Sequence, residues 1–102
     1  MAKVYISLGT NLGDKVQNLK TAISKIAKSC GTVEQKSSIY SSAPWGFESF
    51  NNFLNQVIIV KTELSPEKLI QNLMDIEVSL GRNRTENHYQ DRIIDLDILF
   101  YG

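Results

Sequence analysis

The chain has 102 residues, enough for one compact domain with one modest core and no room for a second. Its hydrophobic fraction of 42% and its 11 basic and 11 acidic side chains describe an ordinary globular protein. The zero net charge conceals an asymmetry: six lysines and three acids give +3 over residues 1–51, whereas five basic and eight acidic side chains give −3 over residues 52–102, a distribution that argues against an extended basic surface for nucleic acid.

Cys30 is the only cysteine. That excludes an internal disulfide and a cysteine-based metal cluster and makes a cytoplasmic location the expectation. The start, Met1 to Ile6, runs directly into a strand-like pattern and lacks the long apolar region of a signal peptide. Nothing approaches the roughly 18 consecutive apolar residues of a membrane span.

Lys3 to Leu8 alternates β-branched and aromatic residues with others and reads as a first strand, ending in the turn-rich loop Gly9 to Asp14. Asp14 is placed to cap a helix, with Gln17 completing a capping box. Val16, Leu19, Ile23, Ile26 and Cys30 recur at helical spacing, and Gly31 stops that helix. Thr32 to Tyr40 is a polar, edge-like second strand, followed by a polar and aromatic loop from Ser41 to Asn52. Phe53 to Thr62, with its Val57–Val60 run, reads as a central strand. Ser65-Pro66 opens a second helix whose buried stripe is Leu69, Leu73, Ile76 and Leu80, and Gly81 ends it. A polar linker from Arg82 to Gln90 leads to the last strand, Ile93 to Tyr101.

The order β-α-β-β-α-β predicts an α+β, ferredoxin-like fold: a four-stranded antiparallel sheet with both helices on one face. The other face stays open for ligands, loops or a partner. On the last strand Ile94, Leu96, Ile98 and Phe100 should face the helices, which turns Asp95 and Asp97 to the open side. Two carboxylates about 6.5–7 Å apart along one strand face repel each other, and a divalent cation relieves that repulsion. Nearby Arg82, Arg84 and Arg92 suit phosphate oxygens. Mg²⁺ held by one or two carboxylates and by substrate phosphates is the usual arrangement of this kind. There is no Walker pattern, so Gly9 and Gly13 by themselves say little about phosphate.

Five stretches in order and at compatible spacing resemble the 6-hydroxymethyl-7,8-dihydropterin pyrophosphokinases of folate biosynthesis. They are Tyr5-Ile6-Ser7-Leu8-Gly9-Thr10-Asn11-Leu12-Gly13; Ser38-Ile39-Tyr40 with Pro44-Trp45-Gly46; Phe53-Leu54-Asn55; Glu77 with Gly81-Arg82; and Arg92 with Asp95-Leu96-Asp97-Ile98-Leu99. The resemblance implies transfer of pyrophosphate from ATP to the hydroxymethyl group of a reduced pterin, with release of AMP. It implies two Mg²⁺ ions on Asp95 and Asp97, with Arg82 and Arg92 completing the catalytic set. ATP would meet Glu77, Arg82, Arg84, Arg92 and Ile98, and the pterin would meet Ser42, Ala43, Trp45, Phe53 and Asn55. No nucleic acid or membrane partner is implied, and the chain would be a monomer or a weak homodimer.

Two departures accompany the resemblance. Gln90-Asp91 stands where the family commonly has glycine-proline, and family members continue for several dozen residues beyond the length seen here. The expectation is therefore a single pyrophosphokinase core domain over 1–102 that lacks the family's C-terminal segment and binds or turns over its substrates poorly. His88 reads as an exposed linker histidine rather than a base. The rival reading is a non-catalytic ferredoxin-like module, either small-molecule-binding and regulatory or an RNA-binding sheet. RNA would call for exposed aromatic and basic residues on the central strands, which Val57–Val60 does not supply.

Overall fold

A computed structural model describes residues 1–43, 52–81 and 93–102 of the chain. The elements follow as β1 (Ala2–Thr10), α1 (Lys15–Ser29), β2 (Thr32–Lys36), β3 (Tyr40–Ser42), β4 (Phe53–Thr62), α2 (Pro66–Ser79) and β5 (Asp95–Tyr101). The strand order is β2-β4-β1-β5, with β3 also paired to β4, and every pairing is antiparallel. This is the ferredoxin-like arrangement that the order of elements predicts.

The second strand of that pattern is split. Ser37 donates its N–H to the Val57 carbonyl at 2.8 Å, while its hydroxyl accepts the Val57 N–H at 2.9 Å. A side-chain oxygen thus takes the place of a ladder carbonyl, and pairing resumes only at Tyr40, opposite Asn55. Residues 41 and 42, expected in a loop, therefore belong to a short strand.

Helix α1 begins at Asp14, whose carboxylate accepts the Gln17 N–H at 3.1 Å. The capping box does not form, because the Gln17 amide turns forward to the Thr21 hydroxyl at 3.1 Å. The buried stripe of α1 is Leu19, Ala22 and Ile26, with Cys30 just beyond it, whereas Val16 is 42% exposed. Gly31 is required by a close approach, since a Cβ there would run into the Lys61 carbonyl oxygen. Ser65 caps α2 by accepting the Lys68 N–H at 3.2 Å, with Pro66 in the first turn. Leu69, Leu73 and Ile76 then enter the same core as α1.

That core lies on one side of the sheet, where Val4, Ile6 and Leu8 of β1 meet Ile58 and Val60 of β4 and Leu96 of β5, together with Ile94 just before it. Each such aliphatic side chain contributes roughly 1.5–3 kcal/mol by leaving water. One residue departs from the expected alternation. Ile6 stands opposite Ile98 and Tyr5 opposite Phe100, so Leu99 is an extra residue, a β-bulge. Past the bulge the faces exchange. Phe100 is on the open side, 58% exposed and edge-on to Tyr5 with ring centroids 6.0 Å apart, and not against the helices. Tyr101 takes the helix-side position and donates its hydroxyl to the Leu64 carbonyl at 2.6 Å. Among the described residues no helix is long and apolar enough to cross a membrane.

Candidate active site

The open face is organised around a glycine. Gly9 of β1 pairs with Asn55 of β4 on one side and with Asp95 of β5 on the other. One pleat further along, Ser7 stands between Val57 and Asp97. Neighbouring strands are about 4.8 Å apart, so the Asn55 and Asp95 backbones lie about 10 Å apart across Gly9.

A Cβ on Gly9 would lie 3.4 Å from Asn55 Oδ1 and 3.5 Å from Phe53 Cδ1. Both side chains thus lean across β1 over a residue that has no side chain of its own, a common reason for glycine inside a strand. The Asn55 amide is held by β3: its Nδ2 donates to Ser42 Oγ at 2.8 Å and to the Tyr40 carbonyl at 3.2 Å. With the donor end bound there, Oδ1 is the end turned over Gly9. Ala43 follows β3 on the exposed surface.

Asp95 and Asp97 share the open face of β5, Asp95 half-buried and Asp97 exposed. Beside Asp97, a cavity of ≈ 310 Å³ opens between α2 and β5, lined by Ile70, Leu73, Met74, Leu96, Asp97 and Ile98. Glu77 approaches β5 from behind. It is completely buried, and its Oε2 accepts the Leu96 N–H at 2.8 Å. Trp45, Arg82, Arg84, Arg92 and His88 lie outside the described residues.

Sequence reasoning missed three residues of this neighbourhood. Gly9 reads as a turn residue in the sequence, although an isolated glycine at the end of a strand pattern is itself a signal of close approach. Ser7, small and polar in an apolar strand, carries little signal. The Asn18 amide of α1 donates to the Leu12 carbonyl at 2.8 Å and lies 3.2 Å from Thr10 Oγ1 and 3.3 Å from the Ile93 carbonyl. It ties the turn after β1 to the segment that enters β5.

The donor set fits a hard divalent cation. Two carboxylates face the same way with no Cβ on the residue opposite Asp95, and every donor they offer is oxygen. Among the described residues there is no group of three or more acidic, histidine or cysteine side chains arranged to hold a metal. An ion here would therefore complete its shell with water and substrate oxygens, as Mg²⁺ does. Cys30 takes no part: burial pushes its thiol up from its ordinary pKa, the hydrogen bond to Ser29 opposing, and it belongs to the core.

The model of the family described as 7,8-dihydro-6-hydroxymethylpterin-pyrophosphokinase (HPPK) matches residues 5–102. The chain belongs to the HPPK family. It is 42% identical over 104 residues to the 2-amino-4-hydroxy-6-hydroxymethyldihydropteridine pyrophosphokinase of Porphyromonas gingivalis, an alignment that covers 100% of this chain and 71% of that protein. It is 40% identical over 101 residues to the enzyme of the same name from Aquifex aeolicus, covering 99% of this chain and 62% of the relative. A solved structure of an HPPK-DHPS protein in complex with substrates superposes with a TM-score of 0.78 at 18% identity. It covers 98% of this chain and 27% of that one, which is a likeness of fold. The HPPK-family chain thus spans about two thirds of the length of these two relatives.

Proposed function

We infer that this chain transfers pyrophosphate from ATP to the hydroxymethyl group of 6-hydroxymethyl-7,8-dihydropterin, with AMP as the second product. The observation that carries this reading is the pairing of Gly9, which sets an amide and an aromatic ring on one side of a bare strand position and two carboxylates on the other. Family membership supplies the reaction, and the geometry supplies a division of labour. The Phe53 ring offers a face to a flat heterocycle, and Asn55 Oδ1, fixed by Ser42 and Tyr40, offers an acceptor to its N–H groups. Ser42 and Ala43 border that side, and Trp45 is assigned to it by resemblance.

On the other side Asp95 and Asp97 would hold the cation. Mg²⁺ held there would neutralise polyphosphate charge and polarise the attacking hydroxyl and the attacked phosphorus. Phosphoryl-type transfer asks mainly for positioning and charge stabilisation, so no dedicated histidine base is needed. The cavity beside Asp97, with Ile70, Met74 and Ile98 among its lining side chains, suits the nucleotide base. From there the triphosphate reaches over β5, where Arg82, Arg84 and Arg92 are assigned to its oxygens. The hydroxymethyl oxygen then attacks the β-phosphorus, the bond to the bridging oxygen of the α-phosphate breaks, and AMP leaves.

Calorimetric titration with a non-hydrolysable ATP analogue, with and without Mg²⁺, followed by a 6-hydroxymethylpterin analogue, tests this. Nucleotide binding that requires Mg²⁺ and strengthens the pterin step is the expected result. A folded sample that binds the pterin analogue identically with and without Mg²⁺-nucleotide would overturn the reading in favour of a non-catalytic small-molecule-binding module.

A further inference from the structure

We propose that Glu77 is a positioning residue that holds the register of β5 through the Leu96 N–H, and thereby sets the two carboxylates that flank Leu96. The inference rests on the reading of Asp95 and Asp97 as cation ligands and adds how they are kept in place.

The strand β5 is an edge. It pairs with β1 on one side, and among the described residues no strand lies on the other. In an antiparallel ladder successive N–H groups point alternately toward and away from the partner strand. The Leu96 N–H turns away from β1, where Glu77 Oε2 accepts it at 2.8 Å. By the same alternation the N–H groups of Asp95 and Asp97 turn toward β1. Leu96 is 4% exposed and Glu77 is completely buried, so water does not substitute for this bond.

Register matters more here than elsewhere in the sheet. Slipping β5 by one residue would turn Leu96 and Ile98 to the open face and drive both aspartates into the core. The strand has seven residues and is bulged at Leu99; burial of Leu96 fixes which of its faces points inward, and the Glu77 bond adds a fixed point on the backbone between the two aspartates. Glu77 stands in the last turn of α2, whose Leu69, Leu73 and Ile76 are anchored in the core. The carboxyl thus transmits the position of a rigid helix to the backbone between the two ligands.

The test compares the unaltered chain with Glu77→Leu, which removes the acceptor, and Glu77→Gln, which keeps an oxygen at the same reach. Mn²⁺ binding is followed by electron paramagnetic resonance in the presence of a non-hydrolysable ATP analogue, and amide exchange is followed at Leu96 and Ile58. In Glu77→Leu, Mn²⁺ affinity should fall by about 10–100-fold, the range found when a partner of a metal ligand is removed. Exchange at Leu96 should accelerate while Ile58 stays protected, and affinity for the pterin analogue measured without nucleotide should hold, because Asn55 stands on β4. Glu77→Gln should recover most of the Mn²⁺ affinity and the protection of Leu96.

A folded Glu77→Leu chain with unchanged Mn²⁺ affinity would overturn the proposal. So would Glu77→Gln losing Mn²⁺ while Leu96 stays protected, a result that makes the carboxyl a direct ligand contact; this arm decides the matter even where Glu77→Leu does not fold. Absence of Mn²⁺ binding in the unaltered chain would overturn the reading of the site itself and this proposal with it.

Discussion

Replacing Gly9 with valine separates the scaffold from the site. A Cβ at this position meets Asn55 Oδ1 at 3.4 Å and the Phe53 ring at 3.5 Å, both ordinary contact distances, so Gly9→Ala should be accommodated. In a strand it should even gain about 0.5–1 kcal/mol from reduced backbone entropy. Valine adds methyls roughly 1.5 Å further out, a carbon–carbon bond length, and these must push Phe53 and Asn55 away from β1. The amide cannot retreat toward β3 without compressing its bond to Ser42, already 2.8 Å. A displacement of about 1 Å in a reacting group costs up to 100-fold in rate. Gly9→Val should therefore lower turnover by that order, about 2.7 kcal/mol, with a matching loss of pterin affinity. Overpacking should cost about 1–3 kcal/mol of stability, which leaves the chain foldable. Pterin-analogue calorimetry at a temperature well below the melting midpoint of each variant is the assay. A folded Gly9→Val chain that binds the pterin analogue as tightly as the parent would refute the placement of the pterin over Gly9.

Asp97→Asn and Asp95→Asn should each reduce turnover by about 10²–10³-fold. Because Asp97 is exposed, its substitution should change stability by less than about 0.5 kcal/mol; a large fall in thermal midpoint with activity retained would refute its role. Asn55→Ala should weaken the pterin analogue by about 1–3 kcal/mol, the cost of an unpaired buried partner, and leave nucleotide binding nearly unchanged. Equal weakening of both would make Asn55 a scaffold residue. The Cys30 thiol, pushed up by burial against the opposing Ser29 hydrogen bond, is held protonated more tightly in the folded than in the unfolded chain. Its contribution to stability is complete below the ordinary thiol value of 9.0 and is lost as pH rises toward the raised folded value. Melting curves of the parent and Cys30→Ala should therefore converge at alkaline pH, and a constant difference between them across that range would refute this linkage.

The order of elements, the start of α2 at Ser65-Pro66 and the open-side placement of Asp95 and Asp97 were legible in the sequence. Local rules decide them: period-2 and period-3.6 burial, a capping side chain, a proline in the first turn. Where such rules met competing contacts, the contacts prevailed. Gln17 turned to Thr21 instead of closing the capping box, Ser37 broke the second strand by bonding across to Val57, and the bulge at Leu99 exchanged Phe100 for Tyr101. A bulge is invisible to pattern reading because it depends on which register satisfies the ladder on the neighbouring strand.

The site divides in the same way. Its acidic pair stands two residues apart on one strand, a spacing that strand geometry converts directly into a shared face. Gly9, Asn55, Ser42 and Glu77 are brought to that face from β1, β4, β3 and α2, and their meeting depends on pairing partners that no single segment specifies. Sequence alone determined which chemistry the chain carries, because residue type and short-range spacing are written in it. Only the tertiary structure decided which atoms face one another, because hydrogen-bond register between distant segments is set when the sheet closes around a common core.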